Sequence, residues 1–279
     1  MADYTLNELM IVASAHEIND NEVVFAGVGN PLFSALLAQK THAPNIMIAT
    51  EGGAVGPLPK RLVLGIGDCS CSENAISVMP LWRLFSDNQK GFVDIGMLGG
   101  AQVDRYGNLN STAIFGDGTY ESPASRLPGS GGANDIATSA KRSIITIPLQ
   151  RRRFLERVDY ITSPGYLTGG NSRAEAGLPG DGPSAIITNK CIFRFHPETH
   201  ELMLSSLHPG VTVEEVKAEV PWDLLVDENL TTTVTPTDEE VAIIRSLDPM
   251  ELFLGTGLKT LDFDSYIDML EKSLDDATN

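Results

Sequence analysis

In IMIATEGGAVGP, residues 46–57, an apolar run ends on a carboxylate, Glu51, and glycines follow at 52, 53 and 56. Glutamate is seldom buried without a partner. Glycine directly after it lets a ligand or another backbone come close. Such a carboxylate can attack an activated acyl group and form a mixed anhydride, or serve as a general base. The plainer account is a tight turn that carries a surface acid. A second cluster, GSGGAND at 129–135, sets Gly131, Gly132, Ala133 and Asn134 at the opening of a helix. Backbone N–H groups at a helix start suit an anion, or the oxyanion of a tetrahedral intermediate. The run lacks the Lys-Ser/Thr ending of a P-loop and the spacing of a dinucleotide fingerprint. Its plainer account is a turn with a helix cap from Asn134 or Asp135.

Other reactive residue types read as structural. Cys69 and Cys71 stand too close for the usual zinc pair, and no second pair follows, so no metal is expected. His16, His42, His196, His200 and His208 are scattered, with His196 and His200 flanking a turn, and they support no Ser-His-Asp or Cys-His set. QRRRFLER at 150–157 is a basic cluster in an acidic chain. It is either a solvated helix face or a contact to phosphate or carboxylate through the planar arginine fork.

The elements that must position these residues follow from pattern. TLNELMIVASAHEI opens with Thr5 and carries Glu8 three residues on, a capping box that starts a helix. EVVFAGVGNP is a short apolar strand ending in glycines. PLFSALLAQKTHAP is a helix begun by Pro31, and NIMIAT is the next strand. This β–α–β order predicts parallel strands with a right-handed crossover, and ligands collect at the carboxyl ends of such strands. Gly27, Gly29, Asn30 and Glu51 all fall at carboxyl ends and are expected to line one crevice. GFVDIGMLGGAQVD gives another strand ending in glycines, here Gly99 and Gly100, and SIITIPLQ a further one. Residues 185–210 read as one antiparallel hairpin turning at HPETH. TVEEVKAEV and TDEEVAIIRSLDP read as helices, and 261–279 as an acidic amphipathic helix with a frayed end. The class expected is α/β: an open, mostly parallel sheet flanked by helices, with a C-terminal antiparallel hairpin and a helical extension. A domain over 1–250 and an acidic extension over 251–279 are the simplest division.

Composition narrows the function. A net charge of -17 argues against nucleic acid as partner, because phosphate binding needs a basic surface. No apolar run approaches a membrane span, and the N-terminus lacks the basic start and apolar core of a signal peptide. Three cysteines with no paired framework fit a reducing cytoplasm.

Five stretches occur here in one order: TEGG at Glu51, LGGAQVDRYGNLNST at 98–112, GSGGANDIAT at 129–138, RRRFLERVDYITSPGYL at 151–167 and GLPGDGPSAIITNKCIFRF at 177–195. With them the chain resembles the β subunit of the family I CoA-transferases, of the glutaconate CoA-transferase type, over about residues 5–250. In that family a strand ends in an acid-plus-glycine motif, and Glu51 stands in the place of the catalytic glutamate. The resemblance implies that the carboxylate attacks an acyl-CoA thioester and that CoA is carried as a glutamyl thioester. Gly131 and Gly132, with Ala133 and Asn134, would form the oxyanion and CoA loop. Gly27, Gly29, Asn30, Gly52, Gly53, Gly99 and Gly100 would line the crevice. No tightly bound cofactor is implied; the CoA thioester is a substrate and a small carboxylic acid its acceptor.

The resemblance also implies a second, α subunit, in an α2β2 arrangement, since the family's other half carries a G-G-F run followed by G-x-P that is absent here. Gly52 replaces the serine or asparagine that follows the glutamate in the family motif, which leaves the acid substrate open. Relatives on this fold hydrolyse a ring bond or decarboxylate a CoA thioester. They lack the matching glutamate, so Glu51 favours transfer. A CoA-thioester hydrolase or lyase, and a non-catalytic acyl-CoA-binding subunit, are the alternatives.

Overall fold

The computed structural model describes residues 3–60, 63, 65–248, 251, 253–255, 264, 267, 268 and 271. The acidic extension expected over 251–279 falls largely outside the described residues. The chain forms two compact units, Met1–Leu84 with Pro236–Asn279, and Phe85–Thr235.

In the first unit the capping box at Thr5 is complete. The Thr5 N–H donates to the Glu8 carboxylate at 2.7 Å, the Glu8 N–H donates to the Thr5 hydroxyl at 3.2 Å, and helix Leu6–Ala15 follows. Strand Val23–Ala26, helix Asn30–Lys40 and strand Met47–Ala49 make the expected β–α–β unit, with Val23 opposite Met47 and Phe25 opposite Ala49 in a parallel pair. The chain then doubles back. Ala54–Val55 pairs antiparallel with Met47–Ala49, and Ser77–Val78 pairs antiparallel with Ala54–Val55. Neither return strand announces itself in the sequence, because two residues are too few to show alternation. Helix Asp238–Leu247, opened by a second capping box at Thr237 and Glu240, is tied to the first helix at both ends. Arg245 donates to the buried Glu8 carboxylate at 2.7 and 3.2 Å, and His16 Nε2 meets Glu240 Oε1 at 2.6 Å. Burial alone would raise the Glu8 carboxyl, but the bonds from Arg245 and the Thr5 N–H hold it below the usual carboxylate range.

In the second unit, strands Ile95–Leu98, Arg142–Thr146 and Pro183–Ile187 lie parallel, with Leu98 opposite Ile145 and Ile145 opposite Ile186. All three are buried, as strands covered on both faces must be. The stretch expected as one hairpin makes two. Pro183–Ile187 pairs antiparallel with Cys191–Phe195, which pairs antiparallel with Leu202–Leu207 across HPETH. The first turn is tight, the Thr188 hydroxyl accepting from the N–H of Lys190 at 3.1 Å and of Cys191 at 2.9 Å, so no loop composition marks it. Strand Leu225–Thr232 adds parallel to Leu202–Leu207. The sheets are open, and the α/β class expected from sequence is the class observed. The basic cluster is not on a helix. Residues 151–153 turn and Phe154–Leu155 forms a strand beside Val103 and Asp104, because Phe154 is a fully buried core side chain.

His208 is buried in this unit and closes the ends of three strands. Its Nε2 lies 2.7 Å from the Thr188 carbonyl, so that nitrogen donates. Nδ1 lies 2.9 Å from the Thr233 hydroxyl, which is 2.8 Å from the Ser206 hydroxyl. A neutral ring satisfies this chain with Nδ1 accepting. Burial pushes the His208 pKa below its ordinary value. The folded state therefore resists a proton that the unfolded state accepts below about pH 6.5. Stability from this group is complete above that pH and falls as pH drops towards the folded-state pKa, at up to about 1.4 kcal/mol per pH unit. Urea unfolding at pH 7 and pH 5.5 checks this: His208→Gln should flatten that slope, and an unchanged slope in the variant would place the titration elsewhere.

Candidate active site

Glu51 occupies the tip of the hairpin that joins Met47–Ala49 to Ala54–Val55. The Gly53 N–H donates to the Thr50 carbonyl at 2.9 Å and the Thr50 N–H to the Ala54 carbonyl at 3.0 Å, closing a four-residue turn with Glu51 at its second position. Thr50 is buried and Glu51 half-buried, so the carboxylate leaves the core at the carboxyl end of a parallel strand. Both readings of the sequence thus meet in one feature: a tight turn that presents an acid. The following glycines serve the turn itself. Gly53 has φ +90°, and a Cβ there would collide with the Met79 carbonyl, whose own N–H donates to the Gly53 carbonyl at 2.9 Å. A Cβ on Gly52 would stand 3.1 Å from the Ile66 carbonyl. The space these glycines leave is occupied by the chain's own backbone.

Among the other expected crevice residues of this unit, Gly27 continues the strand neighbouring Met47–Ala49. Gly27 and Glu51 each follow two residues after the last registered pair, Phe25 opposite Ala49. Among the described residues nothing lies within 4 Å of where the Gly27 Cβ would be. Gly29 and Asn30 begin helix Asn30–Lys40. The Asn30 amide is engaged internally, donating to Asn7 Oδ1 at 2.7 Å, while Asn7 donates to the Phe253 carbonyl at 2.9 Å.

In the second unit, Gly99 and Gly100 continue strand Ile95–Leu98, and Arg153 Nη1 lies 3.4 Å from the Gly100 carbonyl. Gly129 and Gly131 adopt positive φ, +98° and +50°, and Gly132 caps helix Ala133–Ser139 without a side-chain bond. The cap anticipated from Asn134 or Asp135 is not used. Asp135 instead accepts from Gln89 Nε2 at 3.0 Å, and its carbonyl from Asn88 Nδ2 at 3.0 Å. The far end of this helix is held by a residue that sequence reasoning misses. Arg173 is buried, and burial lowers its pKa. Its Nη2 donates to the carbonyls of Ala137 at 2.8 Å and Thr138 at 3.1 Å, its Nε to Gly180 at 2.6 Å, and its Nη1 to Gly165 at 2.9 Å and Pro164 at 3.2 Å. The guanidinium joins three of the five motif stretches. An arginine within NSRAEAG, residues 171–177, offers no periodic signal, so only its contacts reveal it.

A second internal bracket ties the stretch at 98–112 to one of these three, the stretch at 151–167. The buried Asp104 carboxylate accepts from the N–H groups of Tyr106 at 3.0 Å and Asn108 at 3.1 Å and from the Asn108 amide at 3.0 Å. Asn108 Oδ1 accepts from Gly165 at 2.9 Å and Leu167 at 3.1 Å. A Cβ on Gly165 would strike the backbone of Tyr106 and Gly107. Burial raises the Asp104 carboxyl despite these donors. Among the described residues no group of three or more His, Cys, Asp or Glu side chains could hold a metal ion. Cys191 is buried beside Thr188, its thiol pushed up to about 12; Cys69 is an exposed thiol, and the buried Cys71 Sγ donates to the Gly65 carbonyl at 3.3 Å.

Comparison with known proteins places this arrangement. The family described as Coenzyme A transferase matches residues 7–219. The chain is 41% identical over 249 residues to the B subunit of 3-oxoadipate CoA-transferase from Pseudomonas knackmussii, covering 89% of this chain and 95% of that one. It is 36% identical over 264 residues to the B subunit of glutaconate CoA-transferase from Acidaminococcus fermentans, covering 91% and 97%. The crystal structure of glutaconate coenzyme A-transferase from Acidaminococcus fermentans superposes with a TM-score of 0.84 at 33% identity, covering 91% of this chain and 98% of that chain. The chain belongs to the coenzyme A transferase family.

Proposed function

We propose that this chain is the B-type subunit of a CoA-transferase that moves CoA between small dicarboxylic acids, with Glu51 as nucleophile. The observation that carries the reading is a glutamate held at the tip of a tight turn, at the carboxyl end of a parallel strand, in a chain of this family. The names of the two relatives, 3-oxoadipate and glutaconate CoA-transferase, both specify dicarboxylic acids and support that substrate class.

The Glu51 carboxylate adds to the thioester carbonyl, and the C–S bond breaks. This leaves an acyl-glutamyl anhydride and CoA thiolate. The thiolate attacks the glutamyl carbonyl and releases the first acid as its carboxylate, giving a glutamyl-CoA thioester. The second acid's carboxylate then attacks that thioester, and the sequence runs in reverse to return Glu51. Covalent storage keeps the thioester's energy and avoids free CoA. Gly131 and Gly132, with Ala133 and Asn134, are assigned as backbone donors to the tetrahedral oxyanion and the CoA end. Gly27, Gly29, Asn30, Gly99 and Gly100 are assigned to the crevice walls, while Gly52 and Gly53, whose space is filled by the backbone of Ile66 and Met79, are assigned to shaping the turn that presents Glu51.

CoA arrives as substrate, and no tightly bound cofactor takes part. An A-type subunit completes the enzyme, as α2β2. Residues 1–250 form the transferase subunit and 251–279 an acidic appendage. A cytoplasmic setting suits three cysteines held as thiols, and no helix among the described residues is long and apolar enough to cross a membrane.

Covalent transfer requires ping-pong kinetics. Borohydride should trap an adduct on the peptide that contains Glu51, and only after acyl-CoA is added. Intersecting double-reciprocal plots with no trapped adduct, or free CoA released without an acceptor acid, would replace transfer with direct exchange or hydrolysis.

A further inference from the structure

The segment that follows the Glu51 turn leaves a strip of large apolar side chains at the surface. Ile76 is 74% exposed, Trp82 69% and Val78 64%, and Leu58, Ile66 and Leu81 are exposed with them. Backbone bonds gather these residues onto the hairpin that carries Glu51. The Ile76 N–H donates to the Val55 carbonyl at 3.0 Å, Met79 to Gly53 at 2.9 Å and Leu58 to Glu73 at 2.9 Å. Ile66 and Ile76 pack over Gly52 and Gly56. Among the described residues Ser77–Val78 is the edge strand, paired with Ala54–Val55 on one side. Trp82 sits in the first turn of helix Leu81–Gln89, whose buried residues are Leu84, Phe85 and Asn88.

An edge strand left to water is normally blunted by charge or proline. This one carries the exposed Val78, and the exposed Ile76 sits in the bend just before it. The six side chains present apolar surface on the order of 600 Å², the upper end for a patch on a free monomer and most of the ~800 Å² per partner that a stable interface needs. A tryptophan at the strip fits the residue types that dominate binding energy. The net charge of -17 opposes pairing with a second copy of the same chain.

Resting on the subunit reading above, we infer that this edge, Leu58–Ile66–Ile76–Val78–Leu81–Trp82, is the docking face for the non-identical A-type subunit. A chain laid along the edge would run roughly 10 Å from Ala54–Val55, at two interstrand spacings. That strand begins three residues after Glu51. Docking therefore closes one flank of the carboxylate to water, which an anhydride intermediate requires.

The test uses the complex co-expressed with the A-type subunit of the same genome, with a photo-crosslinking benzoylphenylalanine in place of Val78 or Trp82. Irradiation should yield adducts to the A-type subunit. Trp82→Ala should weaken the mixed complex by on the order of thirtyfold, the cost of a binding hot spot, with the melting temperature of the isolated chain unchanged because the ring is exposed. An intact mixed complex that never cross-links from 78 or 82, adducts to a second copy of this chain, or an unchanged affinity in Trp82→Ala each overturns the docking face and leaves the subunit reading standing. A wild-type chain that forms no mixed complex overturns both.

Discussion

Glu51→Ala is expected to lower CoA transfer by about 10⁴-fold or more while the complex still assembles and melts normally. The magnitude follows from removing the group through which every covalent step passes, since members of a covalent unit fail together rather than additively. The fold should survive because the side chain is half-buried at a turn tip and the turn is closed by backbone bonds of Thr50, Gly53 and Ala54. Glu51→Asp keeps the charge and withdraws the oxygens by about 1 Å, a displacement that can cost on the order of a hundredfold. Steady-state assays of the complex with a dicarboxylic acyl-CoA donor and a second diacid measure both. Transfer by Glu51→Ala within tenfold of wild type removes the nucleophile role, whatever the fold.

Arg173→Lys is expected to cost on the order of 3 kcal/mol or more in stability, although it preserves the charge. One ammonium cannot span the five carbonyls of Pro164, Gly165, Gly180, Ala137 and Thr138 that the planar fork now serves. Its bonds to the Gly180, Gly165 and Ala137 carbonyls are buried, and each such carbonyl left without a donor carries a desolvation cost. In a chain of this length such a loss lowers the melting temperature by roughly 10 °C. Helix Ala133–Ser139 and the glycine loop before it should loosen first, seen as faster amide exchange at 133–140 than elsewhere in the unit. A melting temperature within 2 °C of wild type, with exchange at 133–140 unchanged, would show that the bracket is dispensable.

Much of the scaffold was written locally in the sequence. The capping box at Thr5 and Glu8, Pro31 at the start of its helix, and the apolar runs at 23–26, 47–49, 95–98 and 142–146 each act within a few residues, so pattern alone reveals them. Helix Leu81–Gln89 was equally legible after Pro80, with Leu84, Phe85 and Asn88 at helical spacing. The turn around Glu51 was legible as chemistry, because an acid at a strand end beside glycines is a rare local combination.

Contacts between distant residues were not written that way. Nothing near residue 173 marks it as the clamp on residues 137 and 138. Asp104 and Asn108 look like loop residues until residues 165 and 167 arrive to bond them. The two return strands have two residues each and exist because the Gly53 and Val55 backbones find Met79 and Ile76. The sequence by itself determined the parallel units, the family and the acid at a strand's end. Only the tertiary structure decided which glycines serve packing, which arginine holds the loop helix, and where an apolar edge is left uncovered. Local pattern encodes propensity and period, whereas the partner of a buried polar group is fixed only when the whole chain closes around it.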